Sequence, residues 1–287
     1  MKYVFIQEHC CQYSVVLMCH LFSISRSGYY ACLHCTPSKR ELANQRLDEE
    51  ITSVFTDNKS RYGSPRITRE LNKNGIACNH KRVANRMRIM DLKAVAKRKF
   101  KVTTDSEHTK PVFENILNRD FKTTDVNQKW AGDITYVSTA QGWLYLAVII
   151  DLHSRAVIGW SMSDRMTKQL VCNALLMALF NRKFPKGVIV HTDRGSQYCS
   201  KSYRSIMANN KLIGSMGRCG NCWDNAISES FFHALKVELI HQNQYVTRDQ
   251  ALRSIFQYTE GYYNKKRMHS SIDYKTPYEV ECLDKCA

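Results

Sequence analysis

The chain has 287 residues, 44% hydrophobic and 24% charged, which gives room for one or two domains with a buried core and excludes a wholly disordered protein. Lys+Arg number 42 against 26 Asp+Glu, a net charge of +16, and an excess that large points to a polyanionic partner, most often nucleic acid. The longest clean apolar run, Trp143 to Ile150, is 8 residues against roughly 18–20 for a bilayer span, so no helical membrane span is expected.

The N-terminus, MKYVFIQEHCCQYSVVLMCHLF, looks superficially like a leader. Glu8, His9 and Gln12 interrupt it and no small-residue cleavage site follows, so no leader is expected. Helical patterns run from Tyr13 to Leu21 and from Ser25 to Cys35. A longer one covers Lys39 to Phe55, with Leu42, Leu47, Ile51, Val54 and Phe55 on a broad apolar face. After the break SRYGS, Ser64 and Pro65 predict a capping residue followed by proline at the first helical position. Ile67 and Leu71 lie one turn apart, and Gly75 ends that helix. Asn79 caps the next, which runs to about Asp91. Lys81, Asn85 and Arg88 fall on one of its faces and Val83, Met87 and Met90 on the other. Two short helices joined through a glycine turn, the second basic outside, read as a helix-turn-helix. Its candidate DNA contacts are Lys81, Arg82, Asn85 and Arg88. The plainer alternative is an amphipathic helix with a solvated charged face. Local charge favours DNA: residues 38–102 carry 17 Lys+Arg and 7 Asp+Glu. The run KAVAKRKFK at 93–101 reads as a phosphate-tracking linker.

Past Asp125 the period changes. KWAGDITYVST alternates like a strand, Gln141-Gly142 is a turn, WLYLAVIID is a buried strand and RAVIGWSMS a third, together an antiparallel meander. Thr167 to Asn181 is helical, GVIVHTD is a short strand, Ser202 to Asn209 is helical, GSMGRCGNCW is a glycine-rich loop, and Asn225 to about His241 is a helix. This order predicts an α/β core, a mixed sheet covered by helices. The expected organisation is a helical DNA-binding region at 1–92, a basic linker at 93–124, the α/β core at 125–242 and a helical tail at 243–287.

Three carboxylates stand out. Asp133 lies mid-strand between apolar neighbours, where a carboxylate is costly unless paired or metal-bound. Asp193 follows the GVIVHT strand at its carboxyl end, the usual ligand side of an open α/β sheet. Glu229 shares a helical face with His233 and Lys236, opposite Ile227, Phe231 and Ala234. Each has a bland reading: a core ion pair, a turn aspartate, a solvated helix glutamate. Asp151, at the end of the second strand, is read as turn structure rather than a fourth ligand. Cys32-x-x-Cys35 and Cys219-x-x-Cys222 have zinc-like spacing, but structural zinc is not expected. The twelve cysteines read as free thiols in a reducing cytosol. The tyrosines and His269 of the tail suit either packing or DNA contact.

The spacing adds what the single residues lack. The DITYV aspartate, the HTDRGSQY aspartate separated from it by 59 residues, the glutamate of GNCWDNAISESFFHALKVEL separated from the second aspartate by 35, and a lysine at the seventh position after the glutamate resemble the DDE transposases and retroviral integrases. SRSGYYACL, RYGSPRITREL and YYNKKRMHSSIDYKTPYE narrow the resemblance to the second-reading-frame transposases of bacterial insertion sequences expressed by frameshifting. It covers about Tyr13 to Val280.

The resemblance implies an RNase H-like core holding two Mg²⁺, replaceable by Mn²⁺, on Asp133, Asp193 and Glu229, with Lys236 on DNA. Apart from any family, three close carboxylates repel unless cations neutralise them, and hard oxygen ligands suit Mg²⁺ or Mn²⁺. The implied reaction is metal-dependent cleavage of element ends followed by strand transfer of the 3′-OH. The implied partners are double-stranded terminal inverted repeats and target DNA, further copies of the chain, and a protein of the upstream frame, separate or fused. The implied setting is the bacterial cytoplasm. Two other readings are an RNase H-like nuclease or resolvase that cuts without joining, and an inactive DNA-binding regulator.

Overall fold

The computed structural model describes residues 2–34, 36, 38–95, 112–217 and 226–284. Three short helices open the chain: α1 (Lys2–His9), α2 (Val15–Leu21) and α3 (Arg26–Leu33). They bury Ile6, Met18, Cys19 and Tyr29 in a small core of their own. A helix not among the expected ones therefore opens the chain, and the 1–92 region contributes to two separate cores.

The second unit comprises α4 (Lys39–Asp57), α5 (Ser64–Lys73) and α6 (His80–Ile89). Ser38 caps α4 by accepting from the Glu41 amide, and Asn79 caps α6 by accepting from the Arg82 amide. At α5 the expected cap is displaced by one residue: Gly63 occupies the cap, Ser64 is already helical and Pro65 follows it. Proline fits either of the first two positions, because those amides have no partner inside a helix. Leu47, Ile51, Ile67, Leu71, Val83 and Met87 close the core of the unit.

The five strands are β1 (Lys129–Thr139), β2 (Gly142–Asp151), β3 (Val157–Ser163), β4 (Ile189–Thr192) and β5 (Ile213–Met216). They lie in the order β3-β2-β1-β4-β5. β1, β2 and β3 form the antiparallel meander, and β4 and β5 run parallel to β1. Parallel neighbours need crossovers, and α7 (Lys168–Asn181) and α8 (Lys201–Asn209) supply them. Both pack on one face, against Ala147, Ile149, Ile158 and Val190. Contact there is closest at Gly159, where a β-carbon would stand 2.3 Å from the Ala174 carbonyl oxygen.

The other face carries α9 (Ala226–Glu238), α10 (Arg248–Phe256) and a π-helical stretch at Gln257–Tyr263, while α11 (Pro277–Asp284) is tied through Glu281 to Ser154 and to Arg182 at the end of α7. Leu146, Val148 and Ile150 of β2 meet Phe231, Leu235, Ile255, Tyr262 and Tyr263 in a core continuous with that of α4–α6. Burying each such Leu, Ile or Phe contributes about 1.5–3 kcal/mol. Tyr262 and Tyr263 of the tail are thus packed inside.

Two loop expectations are corrected. Residues 214–216 of GSMGRCGNCW belong to β5, with Gly214 opposite Val190; residues 218–223 lie outside the described ones. The end of the expected linker is not a free connector. The Met216 amide donates to the Glu114 carbonyl, the Leu117 amide donates to Ser215 Oγ at 3.0 Å, and the Phe113 ring lies where a β-carbon on Gly214 would be. This segment covers the open edge of β5, a place where strands otherwise recruit other chains. Lys97 to Lys101 fall outside the described residues, as do Cys35, Cys219 and Cys222. No described helix is long and apolar enough to cross a membrane.

Candidate active site

β1 and β4 pair in parallel with Gly132 opposite Thr192. The next residue on each is an aspartate, so Asp133 and Asp193 stand side by side with backbones roughly 5 Å apart. Each carboxylate is oriented by the nearby backbone: Asp133 Oδ1 accepts from the Ile134 amide at 2.7 Å and Asp193 Oδ1 from the Gly195 amide at 2.9 Å. The turn Arg194-Gly195 is held by the Arg194 guanidinium, which donates to the Gly217 carbonyl at 2.8 Å.

α9 brings the other two residues. Ile227, Phe231 and Ala234 are buried, which leaves the face of Glu229, His233 and Lys236 toward the groove. Glu229 and Lys236 lie about 10 Å apart along the axis. Both feel Asp133 or are felt by it. Burial, reinforced by the charges of Asp193 and then Glu229, holds the Asp133 carboxyl well above the usual carboxylate range, while Lys236 pulls it down. Burial also raises Glu229. It lowers the Lys236 ammonium, against the pull of Tyr136 and Asp133.

Asp133, Asp193, Glu229 and Lys236 therefore form one electrostatic cluster at the carboxyl end of β4. No three His, Cys, Asp or Glu side chains among the described residues close into a finished metal cage. The donor set nevertheless fits a hard divalent cation: three carboxylates, mutually repelling, with only oxygen to offer. Beside them the buried Tyr198 hydroxyl has no hydrogen-bond partner among the described residues. Burial and the charges of Asp193 and Asp133 hold this phenol well above its ordinary value.

Sequence reasoning assigned no role to Tyr198, although it lies in the same HTDRGSQY motif as Asp193. It also missed Tyr136, whose ring centre is 5.5 Å from Lys236 Nζ. The available signal was its place three residues after Asp133. Asp151 sits at the far end of the hairpin. It accepts from the amides of Asn127, His153 and Ser154 and from the Trp130 indole, which is turn structure.

The remaining candidates lie elsewhere. Lys81, Arg82, Asn85 and Arg88 are all exposed on α6. Between α6 and α4 runs a polar cavity of about 600 Å³ lined by Arg40, Ala43, Asn44, Arg82, Asn85 and Arg86. Arg82 donates to Asn44 Oδ1 at 2.9 Å, Arg88 to Asn85 Oδ1 at 3.0 Å, and Arg86 is paired with Asp48 of α4. Arg40 and Asn44 extend the cationic, hydrogen-bonding surface beyond α6 itself.

Residues 123–222 and 212–277 match family models described as integrase core domain, and residues 42–100 match an HTH-like domain. The chain is 50% identical over 283 residues to Transposase InsF for insertion sequence IS3A of Escherichia coli (strain K12), covering 98% of each chain. It is 43% identical over 260 residues to a 31 kDa protein of insertion element IS600 from Shigella sonnei, covering 91% of this chain and 96% of that one. Among solved structures it is similar to the HTLV-2 integrase catalytic core domain in complex with magnesium, at 18% identity and TM-score 0.41, over 54% of this chain and 95% of that one. It is also similar to a chain of the simian T-cell lymphotropic virus intasome in complex with PP2A regulatory subunit B56 gamma. There the identity is 15% and the TM-score 0.46, over 80% of this chain and 73% of that one.

Proposed function

Because the chain belongs to the IS3 family of insertion-sequence transposases, with an integrase core behind a helix-turn-helix-like region, we propose that Asp133, Asp193 and Glu229 are its catalytic residues, cutting DNA at element ends and joining the freed 3′-OH to a target. The observation that carries this reading is their convergence with Lys236 at one strand end, close enough for Asp193 and Glu229 to raise Asp133. Magnesium, or manganese in its place, would when bound there as a pair of ions activate the attacking oxygen and stabilise the leaving 3′ oxygen of an in-line displacement.

The chain's own residues do the rest. Asp133 and Asp193 stand on adjacent strands of a rigid sheet, so their carboxylates keep a set spacing. Glu229 comes from α9, which crosses the sheet from outside it and supplies the third carboxylate. Lys236 offers an ammonium to a backbone phosphate beside the scissile bond. A hydroxyl of water attacks first, then the freed 3′-OH, so no protein nucleophile is required. The exposed cations of α6, with Arg40 from α4, grip the double-stranded terminal repeats. Joining two ends to a target calls for more than one copy of the chain, with an upstream-frame protein as a further partner, acting on DNA in the bacterial cytoplasm.

The test uses a supercoiled plasmid carrying the element ends. Asp133→Asn, Asp193→Asn and Glu229→Gln should each cut both nicking and joining by roughly a hundred-fold or more, since groups that merely orient metal ligands are already worth about 10–100-fold. Gel shift should remain that of the parent, and thermal melting should not fall below it. A folded Glu229→Gln protein that nicks and joins at the parent rate removes Glu229 from the site. Nicking without any joined product from the parent chain favours the nuclease or resolvase reading. Neither product, with DNA binding intact, favours the regulator.

A further inference from the structure

The β1–β2 hairpin ends in an aromatic and cationic surface that the proposed cleavage chemistry does not use. Tyr136 pairs with Tyr145 and Ser138 with Trp143, so Tyr136 and Trp143 are diagonal neighbours on one face of the hairpin. Their rings meet edge to face, centroids 4.9 Å apart at 81°. Lys236 Nζ lies 5.5 Å from the Tyr136 ring centre, at the distance of a cation–π contact. Trp143 is 49% exposed and belongs to neither core.

The hairpin tip is held in place. Arg248 at the start of α10 donates from Nε to the Trp143 carbonyl at 3.1 Å, and its amide donates to Gln141 Oε1 at 3.0 Å. Gly142 takes the tight turn with φ +101. β4 pairs with β1 only as far as Gly132, so the far half of β1 reaches beyond that strand. Tyr136 is three residues from Asp133, roughly 10 Å along the strand and on its opposite face, and the Lys236 ammonium, in contact with the Tyr136 ring, also feels the Asp133 charge.

An exposed indole face interleaved with cations is the chemistry of single-stranded nucleic acid binding: the cations follow the backbone and the ring stacks on a base. Bases inside a duplex offer no free face, so the ligand has to be unpaired. We propose that Trp143, backed by Tyr136 and Lys236, is a stacking platform for an unpaired nucleobase of the strand leaving the carboxylate site. This rests on the reading of Asp133, Asp193 and Glu229 as the cleavage site, which fixes where the strand emerges.

The experiment measures binding of the full chain carrying Asp133→Asn, without divalent metal, so that nothing is cut. One probe is a duplex with a short thymidine single-stranded tail; the other is the same duplex with an abasic tail, which keeps the phosphates and lacks the bases. The thymidine tail should bind about ten-fold more tightly than the abasic one. Trp143→Ala should erase that preference and Trp143→Phe should keep most of it. An aminopurine placed in the tail should be quenched on binding by the parent and not by Trp143→Ala. Equal affinity for the two tails before any substitution overturns the proposal, and needs no Trp143 variant to fold. Full preference retained in a folded Trp143→Ala protein overturns it as well. Failure of the cleavage-site reading would show separately, as nicking retained by Asp133→Asn in magnesium.

Discussion

Burial raises the carboxyls of two aspartates on the paired strands β1 and β2, but their partners differ. Asp151 accepts four hydrogen bonds, from three backbone amides and the Trp130 indole. Asp133 receives one amide and two like charges. The difference predicts opposite responses to neutralisation in metal-free protein. Asp151→Ala strands buried donors at about 1–3 kcal/mol each, so it should lower stability by about 3 kcal/mol or more. Asp133 has a carboxyl raised above its unfolded value, so its stabilising share is present at low pH and lost as pH rises through the folded pKa. At neutral pH its charge is a cost, and Asp133→Asn should melt at or above the parent temperature. A clear fall in melting temperature for Asp133→Asn would mean that the group is structurally satisfied. A third residue gives a pH signature. Burial, then Arg267, Arg66 and Arg155, push His269 down to about 2, and its ring nitrogen accepts from Arg267 at 3.3 Å beside the Tyr263 ring. The folded state keeps it neutral while the unfolded chain takes up a proton below about pH 6.5. Stability is therefore full above that value and lost as pH falls. Between pH 7.5 and 5.5 the parent should lose about 1 kcal/mol more than His269→Gln in urea titrations. Identical losses would place a proton on His269 in the folded state.

At the level of elements, α6 divides its cations between two tasks. Arg86 is tied to Asp48 of α4, with its Nε 2.7 Å from Oδ1, and holds the helices together. Lys81 and Arg88 project outward. Lys81→Ala and Arg88→Ala should each weaken DNA binding across sequences and lower the logarithmic salt slope by about one, the signature of a lost phosphate contact. An unchanged slope would assign them to solvent. The two faces of α6 were legible beforehand because a 3.6-residue period separates Val83 and Met87 from the basic side without help from the rest of the fold. Of the meander strands, KWAGDITYVST was legible from its alternation and WLYLAVIID as a short continuous apolar run. β5 was not: IGSM is four residues long, contains a glycine, and is a strand because β4 lies beside it and Phe113 fills the space over Gly214. α1 was hidden by a composition that suits a leader as well as a helix. The carboxylate positions were legible from their spacing. Tyr136 and Trp143 were not, because their meeting with Lys236 depends on hairpin register and on where α9 crosses.

At the scale of the whole molecule, the α4–α6 unit, α9 and the tail meet at a buried polar junction built from three distant stretches. Glu238, the last residue of α9, takes the Arg267 guanidinium through Nε at 3.0 Å and Nη2 at 2.7 Å, and the Tyr258 hydroxyl at 2.9 Å. Burial alone would lower Arg267, but Glu238 overcomes it and holds the guanidinium above its ordinary value. From the helix-turn-helix side, Arg61 donates to the Glu238 carbonyl at 3.2 Å and lies 4.3 Å from the Tyr262 ring centre. Tyr62 donates to the Lys266 carbonyl at 2.9 Å and accepts from the Met268 amide. The motifs RYGSPR and YYNKKRMH, about 200 positions apart, are thus two halves of one contact. The surface pair Lys73–Glu279 spans the same units but is more than a third exposed on both sides and contributes little. The junction meets α9 nine residues after Glu229, so it sets the angle at which that helix presents its carboxylate. Arg267→Met should leave the buried Glu238 with the Tyr258 hydroxyl and the more distant Arg66 guanidinium at 3.9 Å and cost about 3 kcal/mol, whereas Glu238→Leu with Arg267→Met together should cost less than Arg267→Met alone. Under conditions where Arg267→Met is still folded, nicking should fall more than plasmid binding, because the proposed reading puts binding on α4–α6 and cutting on the placement of α9. Urea titration of the double-mutant cycle measures the first effect and the ratio of nicking to gel shift the second. A double variant that loses as much stability as the two single changes added together would show that Glu238 and Arg267 act independently. Equal losses of nicking and binding would show that the junction carries stability alone.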